Sequence, residues 1–225
     1  MTRNMSQPVS KGVLFDLDGT LLDTAPDMIA AVGPICAAQN HPEPDYDHAR
    51  AYVSTGAAGL LRASLPHLNE TEIAGLVPDY LDIYSASLAV KTCLFDGMAE
   101  LLAELETADI LWGVVTNKPA FLTDPLLQQL NLYDRSACVV SGDTLPQRKP
   151  APEPLLFAMA QAELRPETTL YVGDADRDIE AGRNAGMPTV AAAYGYILPD
   201  EKASDWQADH MIDHPAEILT IIKQL

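Results

Sequence analysis

The sequence predicts an α/β protein in which a mainly parallel sheet carries helices on both faces and is interrupted by an all-α insert. Short apolar runs bounded by turn residues alternate with amphipathic segments along most of the 225 residues, and this alternation is typical of parallel sheets. Between about residues 24 and 90 the apolar positions follow helical spacing instead, and we find no convincing strand. We therefore expect a core formed by residues 1–23 and 91–225 and a helical domain formed by residues 24–90.

The predicted strands are apolar runs of a few residues, because a strand buried on both faces needs apolar side chains at every position. We expect the main strands at 12–15, 111–115, 137–140 and 169–172, and lesser strands at 189–193 and 210–212. Helices are expected at 98–107, from Pro125 to 130, from Pro154 to about 162, after Asp178 as far as Gly186, and from Pro215 to 223. This order of elements predicts a Rossmann-like core, and residues 1–10 are predicted to be a loose lead-in.

Within the insert, prolines are expected to separate several short helices, because proline removes a backbone donor and clashes with the preceding turn. The predicted breaks fall at Pro42, Pro44, Pro66 and Pro78. Thr24 is predicted to cap the first helix, whose first turn carries Pro26 and Asp27.

The charge balance excludes two classes of partner. The chain carries 14 lysine and arginine residues against 32 aspartate and glutamate residues, a formal net charge of -18. Such a surface repels nucleic acid and anionic membranes, so we expect neither as a partner. The first eleven residues lack the apolar stretch of a signal peptide, and no apolar run is long enough to span a bilayer. Three scattered cysteines without Cys-x-x-Cys spacing are typical of reduced thiols, so we expect a cytoplasmic protein.

Two acidic residues follow the first predicted strand. Asp16 and Asp18 lie two residues apart, and Gly19 allows a sharp turn directly after them. Ligands bind at the carboxyl ends of strands in open α/β sheets, and two carboxylates buried there need a partner such as a divalent cation. An ordinary polar turn after a strand remains the alternative interpretation. An EF-hand loop does not fit, because its glycine comes later and a glutamate must close it.

Three further polar clusters follow predicted strands in the same way. Thr116 and Asn117 follow the second strand, Lys149 lies in a loop after the third, and Asp174 with Asp178 follows the fourth. Because parallel strands bring their carboxyl ends to one edge of the sheet, these clusters are expected to meet Asp16 and Asp18 in one crevice. For each cluster the alternative is a local role, as a turn cap, a solvated cation or an acid at a helix N-terminus.

This ordered set of clusters resembles the four motifs of the haloacid dehalogenase superfamily over nearly the whole chain. The resemblance implies that Asp16 attacks phosphorus to form an aspartyl-phosphate and that Asp18 first protonates the leaving group and then activates water. It also implies Mg²⁺ as the cofactor, bound by the carboxylates of Asp16 and Asp174 and by the backbone carbonyl of Asp18. A dehalogenase would need neither metal nor second acid, so the acids favour a phosphatase.

The same resemblance implies roles for the remaining clusters. Lys149 and the Thr116 hydroxyl would bind the phosphoryl oxygens, and Lys149 would also keep Asp16 ionised. Asp178 would orient Lys149 or waters from behind the metal ligands. Asn117 could bind phosphate through its backbone or simply shape its loop.

The insert matches the position of the helical cap in one subgroup of the superfamily, where a cap excludes water and contacts the leaving group. Arg50, Ser54, Thr55 and Gly56 form its most ligand-like stretch, and Arg50 would pair with a carboxylate of the substrate. The alternative is a helix-loop-helix corner that needs a glycine.

Longer stretches narrow the resemblance. Residues 21–27, 115–119 and 194–196 look like the phosphoglycolate phosphatase group, whereas 111–119 and 194–199 are similar to the N-acetylmuramic acid 6-phosphate phosphatases of bacterial cell-wall recycling. The resemblance implies a small-molecule phosphate ester as substrate and a monomer or homodimer. A phosphomutase would share the core but need a cap that holds a bisphosphate, and a non-catalytic phosphosugar sensor would not need the intact acids.

Overall fold

Six parallel strands form the central sheet in the computed structural model of the protein, which describes residues 10–225. Residues 1–9, for which the sequence predicts a loose lead-in, lie outside the described residues. The strands are β1 (Gly12–Phe15), β2 (Leu22–Asp23), β3 (Cys93–Leu94), β4 (Leu111–Val115), β5 (Val139–Val140), β6 (Thr169–Gly173), β7 (Thr189–Ala192) and β8 (His210–Ile212). The sheet order is β5-β4-β1-β6-β7-β8, and β2 pairs with β3 antiparallel in a separate two-stranded sheet.

Strand β1 lies in the middle of the sheet because its side chains are apolar on both faces. Val13 and Phe15 pack in a cluster with helices on one face, whereas Leu14 packs in a second cluster on the other. In register, Phe15 lies beside Val114 of β4 and Val172 of β6, so the carboxyl ends of three neighbouring strands lie at one edge. The predicted Rossmann-like α/β core with helices on both faces is confirmed.

Ten α-helices accompany the strands in the described part of the chain. They are α1 (Ala25–Ala30), α2 (Val32–Ala38), α3 (Tyr46–Arg50), α4 (Gly56–Ser64), α5 (Glu70–Ser85), α6 (Met98–Thr107), α7 (Ala120–Gln129), α8 (Glu153–Gln161), α9 (Asp176–Asn184) and α10 (Ile218–Gln224). Among residues 10–225, no helix combines the length and apolar character that crossing a bilayer requires.

Two prolines do not act as the sequence predicts. Helix α7 begins at Ala120 rather than at Pro125, because the Asp143 carboxylate accepts the Ala120 N–H at 2.8 Å and Pro119 sets the entry. Pro125 therefore lies inside the helix. Pro78 likewise lies inside α5, which an Asn69 capping box starts well upstream. In both helices, a cap that satisfies the first backbone donors lies far enough upstream for the helix to include the proline.

The predicted side-chain cap at Thr24 is also wrong. Thr24 precedes α1 but its hydroxyl makes no cap bond; the Ala25 N–H is instead accepted by the Tyr196 hydroxyl at 2.9 Å. Helices α1 to α5 pack around a hydrophobic cluster that includes Tyr80 and Tyr84 and differs from the two clusters on the sheet. The division of the chain into a core and a domain of residues 24–90 stays a prediction.

Asp27 joins the start of the insert to the chain that leaves it. Its carboxylate is 4% exposed and accepts the backbone N–H groups of Lys91 and Thr92, at 2.9 and 2.8 Å, and the Thr92 hydroxyl at 2.7 Å. A buried carboxylate is stable only when such donors replace its water. The two connections between insert and sheet are therefore fastened to one another at Asp27.

We expect Asp27→Ala to lower the free energy of unfolding by about 3 kcal/mol, because it leaves buried donors without an acceptor. Asp27→Asn keeps one carbonyl oxygen and should lose about 1 kcal/mol. Urea denaturation of both variants measures this. Asp79→Ala, on an exposed position of α5, is the control and should stay within about 0.5 kcal/mol of the parent. Equal stability of Asp27→Ala and the parent would contradict the role of this junction.

Candidate active site

The loop after β1 carries the first two acids to the edge where the strands end. The Asp16 backbone N–H bonds to Val172, which continues the sheet ladder, and the Asp16 side chain then lies buried at the strand end. One carboxylate oxygen of Asp16 accepts the N–H of Leu17 at 2.7 Å and lies 2.8 Å from the Lys149 ammonium. Gly19 has φ +86°, so the chain turns back immediately and keeps this loop short.

Three buried carboxylates converge at this edge. Oxygen atoms of Asp16, Asp174 and Asp178 lie within 4.8 Å of one another. Lys149 lies between two of them, at 2.8 Å from Asp16 and 2.7 Å from Asp178, and also donates to the Tyr171 hydroxyl at 2.8 Å. The four residues come from three separate parts of the chain, after β1, β5 and β6, as the sequence predicts from the parallel order of the strands.

The pKa values of Asp16 and Asp174 are shifted in opposite directions. Burial raises the pKa of Asp16, but the cations of Lys149 and Arg177 lower it by more, so the net shift is downward. Burial, followed by the charges of Asp16 and Asp178, raises the pKa of Asp174 to about 7. Asp16 is therefore held as a carboxylate, whereas Asp174 lies in a field that still lacks positive charge.

The donors at this edge fit a hard divalent cation. The carboxylate oxygens of Asp16, Asp174 and Asp178 converge here, and the Asp18 carbonyl lies close to Asp174 because the Ser54 hydroxyl contacts both. Oxygen ligands are those that Mg²⁺ prefers. A cation there would offset the excess negative charge that raises the pKa of Asp174. Gly19 and Gly195 leave space for the Asp174 side chain, since a Cβ at either position would overlap it.

Hydrogen bonds fix the orientation of Asp174 from several elements. The Thr20 hydroxyl donates to it at 3.1 Å, the Tyr196 N–H at 2.9 Å and the Ser54 hydroxyl at 2.8 Å. The Ser54 hydroxyl also lies 3.2 Å from the Asp18 carbonyl. The insert thus reaches the same oxygen atoms that could hold the cation.

Thr116 and Asn117, which follow β4, lie beside these acids. Thr116 is buried at the end of β4, and its hydroxyl accepts the N–H of Lys118 at 3.2 Å. The Asn117 amide donates to the Lys149 carbonyl at 3.1 Å and accepts the Lys149 N–H at 3.1 Å. Of the two alternatives for Asn117, these contacts favour loop shaping by the side chain: it ties the two loops together and places Lys149.

The structure brings most of the predicted cap residues to the site, but not Arg50. Ser54, Thr55 and Gly56 line the cavity above the acids. The Arg50 guanidinium instead lies 4.7 Å from the centre of the Tyr196 ring and 3.5 Å from the Gly195 carbonyl, outside the lining of that cavity. Its predicted contact with substrate stays a prediction.

Three cationic residues that line the cavity, Lys118, Arg148 and Arg177, were not predicted from the sequence. The Lys118 ammonium lies 2.9 Å from the Asp18 carboxylate, and Arg177 donates to the Ser54 carbonyl at 2.8 Å while its charge lowers the pKa of Asp16. Each lies within one to three residues of a predicted site residue. This closeness in sequence was the feature that could have identified them as candidates. A sequence does not show which neighbour of a motif turns inward, because that depends on how the loop is packed.

A cavity of about 430 Å³ lies between the sheet edge and the insert. Its polar floor is formed by Asp16, Asp18, Thr116 and Asn117. Its wall is apolar and aromatic and is formed mainly by α5. The residues that form this wall are Met28, Val53, Val77, Tyr80, Leu81, Tyr84 and Leu122. Arg148 also lines the cavity, and within residues 10–225 its side chain makes no hydrogen bond or ion pair.

We expect Lys149→Met to lower the free energy of unfolding by about 3–5 kcal/mol at pH 7, because it leaves buried carboxylates without their cation. In the variant, the pKa of Asp16 in the folded protein rises above its unfolded value. The folded state then binds more protons, so stability falls as pH rises, and the loss should be smaller at pH 5. Urea denaturation in chelator at both pH values measures this.

Lys202→Met, which removes an exposed lysine, is the matched control and should stay within about 0.5 kcal/mol of the parent at both pH values. An equal loss for Lys149→Met at pH 5 and pH 7 would contradict the electrostatic account and point to lost packing alone.

Comparison with known proteins gives the family of the chain. The sequence model of the family described as haloacid dehalogenase-like hydrolase matches residues 13–192. The chain is 44% identical over 213 residues to an N-acetylmuramic acid 6-phosphate phosphatase of Pseudomonas aeruginosa, covering 94% of each protein. It is also 43% identical over 208 residues to a phosphoglycolate phosphatase of Xanthomonas campestris, covering 92% of this chain and 94% of that one.

A solved structure from Haemophilus somnus, described as a predicted phosphoglycolate phosphatase, has the same fold. It superposes with a TM-score of 0.83 at 28% identity, covering 94% of this chain and 97% of that one. The family match spans well over half of the chain, and the relatives align over nearly all of it. The chain therefore belongs to the haloacid dehalogenase-like hydrolases, and it is a phosphoric monoester hydrolase.

Proposed function

We propose that the protein is a Mg²⁺-dependent phosphomonoesterase that acts through an aspartyl-phosphate and that its substrate is N-acetylmuramic acid 6-phosphate. The observation that carries the chemistry is the placement of Asp16. It is buried, its pKa is lowered by Lys149 and Arg177, and its oxygen atoms lie beside those of Asp174 at a site that fits a divalent cation. A carboxylate in that state is a nucleophile that needs no base to remove a proton.

The reaction has two halves with opposite proton movements. An oxygen of Asp16 attacks phosphorus, and the bond from phosphorus to the ester oxygen breaks. Asp18, which must enter this half as the neutral acid, gives its proton to the departing alkoxide and becomes a carboxylate. Asp18 then takes a proton from water, whose oxygen attacks phosphorus and releases Asp16 and inorganic phosphate. Lys149 and Thr116 stabilise the phosphoryl oxygens in both halves. Asp16, Asp174 and the Asp18 carbonyl would hold Mg²⁺, which would supply charge neutralisation when bound.

The cavity favours the larger of two candidate substrates. N-acetylmuramic acid 6-phosphate has a pyranose ring, an acetamide and a lactyl carboxylate, whereas phosphoglycolate is a two-carbon acid. A cavity of about 430 Å³ with an aromatic and aliphatic wall suits a sugar ring, which presents C–H groups to such surfaces. The relative at 44% identity that bears this name supports the same choice. Phosphoglycolate is the alternative substrate, since relatives at 43% identity are named for it.

Arg148 is the cation best placed to bind the lactyl carboxylate. Three cationic side chains line the cavity, and two of them are engaged: Lys118 with Asp18, and Arg177 with the Ser54 carbonyl. Arg148 has no such partner among the described residues, and a guanidinium binds a carboxylate through two parallel hydrogen bonds. Arg50, the candidate from the sequence, would have to leave the Tyr196 ring to do so.

Mg²⁺ should raise the melting temperature of the parent protein, because a ligand that binds only the folded state stabilises it. Asp174→Ala should lose this rise, and Asp16→Asn should lose all phosphatase activity, because an amide cannot form the aspartyl-phosphate. Thermal melts with and without Mg²⁺ and phosphate release from p-nitrophenyl phosphate measure the two effects. Asp176→Ala, an exposed acid outside the cluster, is the control for both. Full turnover in EDTA would contradict the metal assignment.

We expect kcat/KM for N-acetylmuramic acid 6-phosphate to exceed that for phosphoglycolate by about tenfold or more, since only the sugar is large enough to contact the apolar wall of the cavity. N-acetylglucosamine 6-phosphate lacks the lactyl group and serves as a matched substrate. Arg148→Ala should lower kcat/KM about tenfold for the muramic acid ester and leave the glucosamine ester nearly unchanged. Steady-state phosphate release measures all three esters.

Arg50→Ala is the comparison variant for this substrate experiment. A selective loss on the muramic acid ester with Arg50→Ala, but not with Arg148→Ala, would assign the carboxylate to Arg50 instead. Faster turnover of phosphoglycolate by the parent enzyme would establish the alternative substrate and reject the sugar phosphate.

A further inference from the structure

A buried lysine that the reaction above does not use contacts the second acid. Lys118 is the third residue after β4, and its side chain is 4% exposed. Its ammonium lies 2.9 and 3.2 Å from the two carboxylate oxygens of Asp18. Burial lowers the pKa of Lys118, but the Asp18 carboxylate and Tyr84 raise it by more, so the lysine stays charged at neutral pH.

The same ammonium contacts the insert. It lies 3.1 Å from the Tyr84 hydroxyl of α5 and 4.6 Å from the centre of the Tyr84 ring, and 3.8 Å from the Met28 sulfur of α1. An ammonium has three N–H donors, and these contacts with Asp18, Tyr84 and Met28 use all of them. Lys118 is therefore held between an acid of the sheet edge and two helices of the insert.

Stability alone does not explain a charged pair at this place. Burying two charges costs desolvation, and an apolar pair of similar volume is often as stable or more so. Met28 and the Tyr84 ring, which the ammonium contacts, already provide apolar surfaces against which an uncharged side chain at position 118 would pack. The ion pair has a geometric consequence instead: because Lys118 contacts both oxygens of Asp18, it fixes the direction of that carboxylate at the floor of the cavity.

We infer that Lys118 is a positioning residue for proton transfer by Asp18 and that Tyr84 sets its position from the insert. This inference rests on the proposed acid and base role of Asp18. Helix α5 contributes Tyr84 to Lys118 and also much of the cavity wall, including Val77 and Tyr80. The helix that contacts the leaving group therefore also sets the acid that protonates it, so the insert contributes to catalysis as well as to substrate choice.

The test compares two esters of nearly the same shape that differ in the basicity of the leaving group. Phenyl phosphate leaves as a basic phenolate that needs a proton, whereas p-nitrophenyl phosphate leaves as a weakly basic one that needs little help. The readout is the ratio of kcat/KM for p-nitrophenyl phosphate to kcat/KM for phenyl phosphate, at saturating Mg²⁺. A loss of structure alone lowers both values together and leaves this ratio unchanged.

We expect Lys118→Met to raise the ratio about tenfold, because the ester with the poorer leaving group loses more. Lys118→Arg keeps a charge near Asp18 and should return the ratio to within about threefold of the parent. Tyr84→Phe removes only the hydroxyl and should raise the ratio about threefold. Tyr46→Phe removes the hydroxyl of an exposed tyrosine on α3 outside the cavity lining; it is the matched control and should leave the ratio as in the parent.

A ratio for Lys118→Met equal to that of the parent would overturn the inference. If Lys118→Met does not fold, as circular dichroism would show, Tyr84→Phe carries the test, and a ratio for Tyr84→Phe equal to that of the parent would then overturn the inference. Asp18→Asn separates the two levels of the argument, with an expected rise of about 100-fold. An unchanged ratio for Asp18→Asn would overturn the acid role itself, whereas a rise for Asp18→Asn without one for Lys118→Met would overturn the inference alone.

Discussion

The structure depends on the balance of buried charge at the carboxyl edge of the sheet. Three carboxylates, from Asp16, Asp174 and Asp178, share a space in which their oxygen atoms lie within 4.8 Å of one another. Lys149 offsets two of them directly, and Arg177 lowers the pKa of Asp16 from further away. The remaining deficit falls on Asp174 and Asp178: burial, together with the neighbouring carboxylates, raises the pKa of both, that of Asp174 to about 7. A dianionic substrate could not approach such an edge without an additional positive charge.

This constraint explains how the surrounding backbone is arranged. Gly19 and Gly195 lie against Asp174, where any side chain would overlap it, and Tyr196 donates its N–H to the same carboxylate. Asn117 bonds to the backbone of Lys149 with both ends of its amide, which fixes the loop that carries the cation. These contacts therefore fix the positions of the Asp174 carboxylate and of the loop that carries the Lys149 ammonium.

The insert contacts the polar residues at the sheet edge and also forms the apolar wall of the cavity. Ser54 reaches down to Asp174, and Tyr84 reaches Lys118 and through it Asp18, while neighbouring side chains of α5 form an apolar wall. Asp27 fastens the two connections of the insert to each other. The charged groups thus lie at the sheet edge, whereas the apolar surface that faces the cavity belongs mainly to the helices of the insert.

The sequence by itself determined the elements whose signal is local. Apolar runs placed β1 at Gly12–Phe15 and α6 at Met98–Thr107 with the bounds that the structure shows, and the parallel order of strands implied that Asp16, Lys149 and Asp174 meet. Tertiary contacts decided the rest. Because Asp143 accepts the Ala120 N–H, α7 begins at Ala120 rather than at Pro125. The Tyr196 ring contacts Arg50 outside the cavity lining. Tyr84 of α5 contacts the Lys118 ammonium where it pairs with Asp18. Hydrophobic periodicity is a property of neighbouring residues, but the partner of a polar side chain is chosen by distant parts of the chain that only folding brings together.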